Sequence, residues 1–167
     1  MSLKPQDVVV ILKLLSFVGV ATYPQLAHAL GMSASEAHAS VKRAAKSGLV
    51  NLESRRPNRK ALLEFLVHGL KYVFPAERGP LTRGMPTSYA TAPLADKLTV
   101  SGEPPPVWPD PDGTVRGEAL EPLYRSAPGA ARADAKLYEL LALVDAIRSG
   151  RARERELAVK ELQKRLE

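Results

Sequence analysis

The sequence predicts a mainly α-helical, α+β fold. Apolar residues recur every three or four positions in the first 70 residues and again near the C terminus, which is the spacing that buries one face of a helix. Aromatic residues make up only 5% of the chain, so Leu, Val and Ala must fill most of the core, which favours helices over a β-sandwich. Two short runs, at residues 49 to 52 and 71 to 74, alternate like strands and are predicted to pair.

The length and composition are those of a folded, soluble protein with one domain and an appendage, or with two very small domains. Of the 167 residues, 45% are hydrophobic and 25% are charged. The absence of cysteine excludes disulfides, thiolate metal sites and a cysteine nucleophile. The apolar run at residues 8 to 20 is interrupted by Lys13 and is shorter than a membrane span, so we expect a buried helix and a cytoplasmic protein without a membrane partner.

The net charge of +6 is unevenly distributed along the chain. Residues 1 to 95 contain 12 Lys and Arg against 5 Asp and Glu, whereas residues 96 to 167 contain 12 against 13. Between residues 42 and 60 there are seven basic residues and one acidic residue, Glu53. A concentrated basic segment is typical of a protein with a polyanionic partner, although a solvated basic face explains the charge alone equally well.

Start and stop signals predict four helices in the N-terminal part. Pro5 suits the first turn of a helix, and Thr22 and Ser33 are good N-cap residues. Glu36 follows Ser33 by three residues and completes a capping box. Gly31 supplies the tight turn before Ser33. The predicted helices span residues 5 to 19, 22 to 31, 33 to 48 and 58 to 69.

Three segments are predicted in all, at residues 1 to 75, 76 to 133 and 134 to 167. The middle segment holds most of the 14 prolines, so we expect long loops there, with a turn at residues 110 to 113 and a small hairpin around it. The last segment is predicted to be helical, with Asp134 as the N-cap of its first helix and a charged helix from residue 151.

Residues 23 to 50 carry the most specific pattern in the chain. Leu-Gly-Met-Ser at residues 30 to 33 joins two short predicted helices, apolar Ala37 and Val41 follow the serine, and Ser-Gly-Leu-Val closes the segment at residues 47 to 50. This pattern resembles the winged helix-turn-helix domains of MarR-type and ArsR-type bacterial transcriptional regulators. The resemblance implies a DNA-binding domain with a short two-stranded wing, then an irregular proline-rich middle and C-terminal helices.

The resemblance also implies that the third helix enters the major groove of double-stranded DNA. Residues at its N-terminal end then lie near base edges, and Lys42 and Lys46 contact phosphates. Arg43 reaches a guanine or a phosphate, and the cations that follow the helix contact the flanking backbone or the minor groove. By residue type alone, His38 and the cations of this helix also suit a simple solvated face. The implied DNA-binding residues are Ser35, Glu36, His38, Ala39, Lys42, Arg43, Lys46, Arg55, Arg56, Arg59 and Lys60.

Two kinds of protein contact are also expected. The helix after Asp134 carries an apolar stripe that suits either a homodimer surface, together with the apolar first helix, or packing on the chain's own core. The charged segment at residues 151 to 167 suits docking to a protein partner. The alternative function is therefore a protein-interaction module on the same fold, such as an antitoxin-like or adaptor protein. The stripe consists of Leu137, Leu140, Leu141, Val144 and Ile147.

The sequence does not predict an enzyme. The three histidines have no metal-ligand spacing, and residues 110 to 113 lack the glycine offset and the glutamate of a calcium loop. There is no glycine-rich phosphate loop and no nucleophile motif. We therefore expect no catalytic residues, no metal and no cofactor.

Overall fold

The computed structural model describes all 167 residues and confirms a mainly α, α+β chain. No helix is both long enough and apolar enough to cross a membrane. Two short 3-10 helices lie between the first two strands, at Ser88–Ala90 and Leu94–Asp96. The strands are β1 (Arg78–Pro86), β2 (Pro106–Pro109) and β3 (Val115–Leu120). The helices are α1 (Pro5–Ser16), α2 (Tyr23–Leu30), α3 (Ala34–Lys46), α4 (Arg59–His68), α5 (Leu70–Val73), α6 (Ala127–Ala133), α7 (Ala135–Ser149) and α8 (Ala152–Leu166).

The chain divides into two units, and each combines distant parts of the sequence. The first unit comprises residues 1 to 62 and 123 to 138, and the second comprises residues 63 to 122 and 139 to 167. This division differs from the predicted boundaries at residues 75 and 133. The difference arises because the chain returns to the first unit after the strands, so that α6 packs against α2.

In the first unit, α1, α2 and α3 pack against one another. The predicted caps are confirmed: the Thr22 hydroxyl accepts a hydrogen bond from the Gln25 backbone N–H at 3.2 Å, and the Ser33 hydroxyl accepts one from Glu36 at 3.1 Å. These bonds satisfy N–H groups that the first turn of a helix leaves unpaired. The two short helices therefore begin where their sequence signals predict.

The turn between α2 and α3 requires glycine. Gly31 has φ 63° and ψ 40°, a left-handed conformation that other residues adopt at a cost. A Cβ atom at Gly31 would also lie 3.3 Å from the Cβ of Ser126. The turn is closed by a hydrogen bond from the Met32 N–H to the Ala27 carbonyl at 3.0 Å. The angle between α2 and α3 is thus set by local backbone chemistry.

A short hairpin follows α3 and corrects one prediction. Val50 forms a bridge with Pro57, and the Asn51 N–H donates to the Arg56 carbonyl at 2.9 Å. The predicted pairing of this strand with residues 71 to 74 is wrong, because Leu70–Val73 is helix α5. Leu70, the first residue of α5, is fully buried. This segment therefore packs through a helical residue, and it does not bury one face of a strand.

The second unit contains a small closed barrel of three strands. Strand β1 pairs antiparallel with both β2 and β3, and β2 pairs with β3 in parallel. The turn at residues 110 to 113 is confirmed by a 3.0 Å bond from the Gly113 N–H to the Asp110 carbonyl. The hairpin predicted around it is wrong, because the strands on either side of the turn run in the same direction.

Glycine allows the strands of this barrel to approach one another closely. A Cβ atom at Gly84 would lie 2.1 Å from the backbone carbonyl oxygen of Trp108, so no larger residue fits. Gly84 and the prolines of β1 look like loop signals in the sequence, yet they lie in a strand. The expectation of long loops in this part of the chain is therefore wrong for β1.

The apolar stripe of α7 is core. Its five residues are between 0% and 5% exposed in the single chain. The prediction that they form a homodimer surface is wrong, because their side chains are already covered, whereas the alternative role in the chain's own core is confirmed. Asp134 caps α7 as expected, since its Oδ1 accepts the Leu137 N–H at 3.1 Å.

Candidate nucleic-acid interface

One face of α3 is exposed along the whole helix. Ser35, His38, Lys42 and Lys46 follow one another at intervals of three, four and four residues, and all four are exposed. The opposite face is fully buried at Ala37, Val41 and Ala44. The four side chains therefore form one polar and cationic stripe, which we call the α3 stripe.

The two lysines of the α3 stripe have no acidic partner, because neither forms an ion pair. Their charges are therefore available to a ligand. Ala39 and Glu36 are half-buried at the edge of the stripe. Of the predicted residues on α3, the structure thus brings six to one side of the helix.

Glu36 has a role in the cap as well as a position near the stripe. Its carboxylate accepts a hydrogen bond from the Ser33 backbone N–H at 2.9 Å, and this bond lowers the pKa of Glu36. The side chain is therefore ionised at neutral pH and places one negative charge at the start of α3. Near a phosphate backbone that charge opposes binding.

Arg43 corrects the prediction of a DNA contact. It is 8% exposed, and its Nε and Nη2 atoms donate to the two carboxylate oxygens of Asp7, each at 2.8 Å. The hydrogen bond to Asp7 raises the pKa of Arg43 further. The guanidinium thus joins α3 to α1, and it does not face solvent. A signal for this pair exists in the sequence, since Asp7 directly precedes a run of five apolar residues and needs a partner if that helix is buried.

The cations of the hairpin divide into two groups. Arg56, Arg59 and Lys60 are exposed, as the predicted phosphate contacts require. Arg55 is half-buried, and its Nε donates to the Ala21 carbonyl at 2.7 Å while the guanidinium lies over the Tyr23 ring. The predicted DNA contact by Arg55 stays a prediction, since these two contacts already hold its guanidinium within the protein. Sequence reasoning missed Tyr23, which no spacing rule connects to residue 55.

The two units differ in net charge. The first contains 12 Lys and Arg against 4 Asp and Glu, a net charge of +8, and the second contains 12 against 14, a net charge of −2. A positive unit attracts a polyanion over a distance of about one Debye length, roughly 8–10 Å at physiological salt. The α3 stripe thus lies on the unit whose field favours an anionic partner.

The second unit contains a cleft of about 110 Å³. Four of its five charged residues form ion pairs: Arg78 with Glu118 at 3.2 Å, and Arg151 with Glu103. Burial is the main factor that raises the pKa of Tyr89, which also lines the cleft. Ser88 and Glu154 also line the cleft.

Helix α8 uses its apolar residues within the second unit. Ala158, Leu162 and Leu166 are at most 4% exposed, and Arg165 bonds Glu161 at 2.6 Å and Glu139 at 3.1 Å. Most of the exposed side chains of the helix are charged. Docking of a protein partner on this helix stays a prediction.

Comparison with protein-family models, with curated proteins and with solved structures gives no match to this chain.

Proposed function

We propose that the chain binds double-stranded DNA through the α3 stripe and acts as a transcriptional regulator of the winged helix-turn-helix type. The observation that carries the proposal is the stripe itself, an exposed helix face whose two lysines have no ion-pair partner. The glycine turn and the two capped helices on either side of it, α2 and α3, supply the helix-turn-helix. The hairpin at residues 49 to 58 takes the place of the wing.

The dimensions of α3 suit the major groove. A helix of 13 residues is about 20 Å long, and the groove is about 12 Å wide and accepts one helix. Ser35 and His38 lie toward the N-terminal end, where a recognition helix contacts base edges, and both side chains form hydrogen bonds with bases. Lys42 and Lys46 lie further along, at positions suited to phosphates.

The hairpin supplies the remaining positive charge. Arg56 and Lys60 are exposed and form no ion pair, so they add phosphate contacts on the flank of the duplex. A dimer that reads a palindrome would use a surface other than the α7 stripe, because that stripe is covered within one chain. Homodimerisation therefore stays an expectation from symmetry alone.

The proposal is tested by the salt dependence of DNA binding. We expect the wild-type protein to bind a fluorescein-labelled mixed-sequence duplex, with an affinity that falls as potassium chloride is raised. In the variant Lys42→Ala/Lys46→Ala, the slope of log K against log salt should decrease by about 0.9 for each lysine. Fluorescence anisotropy at several salt concentrations measures both quantities.

A matched control is available on α8. Lys160 and Lys164 have the same four-residue spacing and are also exposed, so Lys160→Ala/Lys164→Ala removes equal charge from a different helix. This control should keep the wild-type slope. Equal decreases of the slope in the two double variants, or no binding of the duplex by the wild type at low salt, would contradict the proposal.

Removing the acidic charge at the edge of the stripe should strengthen DNA binding. Glutamine also completes a capping box, so Glu36→Gln keeps α3 capped while it removes a charge that repels phosphates. We expect the affinity for the duplex to rise about two- to fivefold, the effect of one charge at short range in water. Glu156→Gln on the exposed side of α8 is the control and should leave the affinity unchanged. A fall in affinity for Glu36→Gln would place Glu36 among the base contacts.

A further inference from the structure

Three side chains join the hairpin, the start of α2 and the α3 stripe. The guanidinium carbon of Arg55 lies 5.0 Å from the centroid of the Tyr23 ring. The Tyr23 and His38 rings are 4.6 Å apart and tilted by 50°. Arg55 is also bonded to the carbonyl of Ala21, just before the cap of α2. The contacts therefore run from the hairpin, through Tyr23, to a residue of the stripe.

The hairpin holds Arg55 in an unfavourable backbone conformation. Its φ of 55° lies in the left-handed region, which residues other than glycine rarely adopt. The Asn51 carboxamide accepts the N–H groups of Glu53 and Ser54, and the Asn51 carbonyl accepts the Arg55 N–H at 2.8 Å. These bonds bend the chain so that the Arg55 side chain points to α2. Such strain persists only where surrounding contacts enforce it.

We propose that Arg55 is a positioning residue for the α3 stripe and contacts no DNA itself. This inference rests on the proposed function and deepens it. Through Tyr23, Arg55 fixes the orientation of the His38 ring, and through Ala21 it fixes the hairpin that carries Arg56. Groups that are held in place before binding lose less conformational freedom when the ligand arrives.

The chemistry of Arg55 explains why arginine is required. A planar guanidinium stacks on an aromatic ring while its Nε donates a hydrogen bond in the same plane. A lysine ammonium has no Nε and no planar face, so it cannot make both contacts at once. The Nε bond to Ala21 and the stacking on Tyr23 both engage the Arg55 guanidinium within the protein.

The salt dependence of DNA binding distinguishes a positioning residue from a residue that contacts phosphate. Arg55→Ala and Arg55→Lys should both weaken binding of the mixed-sequence duplex about three- to thirtyfold, the range that one cation–π contact corresponds to. The slope of log K against log salt should stay at its wild-type value in both variants. Arg56→Ala is the neighbouring control and should lower the slope by about 0.9. A slope in Arg55→Ala that falls as it does in Arg56→Ala, or an unchanged affinity, would overturn the inference.

A second measurement works without DNA. We expect the nearby Tyr23 ring to shift the ring-proton resonances of His38, and Arg55→Ala or Tyr23→Leu should move these resonances toward free histidine values. Tyr23→Phe keeps the ring and should leave the His38 resonances in place. Unchanged resonances in Arg55→Ala would overturn the inference even if the wild type binds DNA. If the wild type binds no duplex, the proposed function fails, and the His38 resonances still show whether Arg55 orients the ring.

Discussion

Replacing Asp145 by alanine is expected to lower the free energy of unfolding by about 3–5 kcal/mol. Asp145 is 2% exposed on α7 and accepts hydrogen bonds from three side chains. Its Oδ2 accepts from the Thr87 hydroxyl and from the Trp108 indole N–H, each at 2.7 Å, and its Oδ1 accepts from Arg148 at 2.9 Å. Alanine leaves all three buried donors without this partner, which costs more than the bonds themselves contribute.

Asp145 connects several elements of the second unit through hydrogen bonds. Thr87 follows β1, Trp108 lies in β2, and Arg148 continues the network to the Phe74 carbonyl at 2.9 Å. Burial raises the pKa of Asp145, and the Arg148 charge and the two other hydrogen bonds oppose that rise. Urea denaturation followed by circular dichroism measures the loss. Asp96→Ala, at an exposed position, is the control and should stay within about 0.5 kcal/mol of the wild type. Equal, small losses of unfolding free energy in Asp145→Ala and Asp96→Ala would contradict this role of Asp145.

A second large loss of stability is expected for Asp7→Ala. This change leaves the Arg43 guanidinium buried without its carboxylate and removes the acceptor of the Lys4 N–H at 2.8 Å. The expected cost is again about 3–5 kcal/mol, as for other buried pairs that lose one partner. Thermal and urea denaturation of the variant measure it.

The double variant Asp7→Leu/Arg43→Met tests the cause of that loss. Apolar replacement of a whole buried pair is often neutral, so the double variant should be more stable than Asp7→Ala. It should also keep the wild-type salt slope of DNA binding, because Arg43 contacts no phosphate. A slope reduced by about 0.9 together with unchanged stability would return Arg43 to the DNA interface.

The helices of the first unit were predictable because their signals are local. Thr22, Gly31 and Ser33 determine the ends of α2 and α3 through bonds to residues at most five positions away. Exposure of Lys42 and Lys46 follows from helical spacing alone.

The remaining features depend on contacts between distant residues. Arg43 is separated from Asp7 by 36 positions, so its burial depends on how α1 packs against α3. Strand β1 contains glycine where it passes close to another strand, and its glycines and prolines look like turn residues in the sequence. The sequence of residues 71 to 74 alternates like a strand. The chain is nevertheless helical there, because it follows α4 and because α5 begins with the buried Leu70.

The most direct test of the α3 stripe is to map the DNA contact on the folded protein. A ¹⁵N-labelled full-length chain is titrated with a mixed-sequence duplex, and the changes in amide and side-chain resonances are followed by NMR. If DNA binds to the α3 stripe, we expect the changes to concentrate at Ser35, His38, Lys42 and Lys46 and in the hairpin around Arg56. The resonances of α8 and the barrel should remain unaffected. Changes confined to the second unit, with α3 unperturbed at saturating DNA, would contradict it.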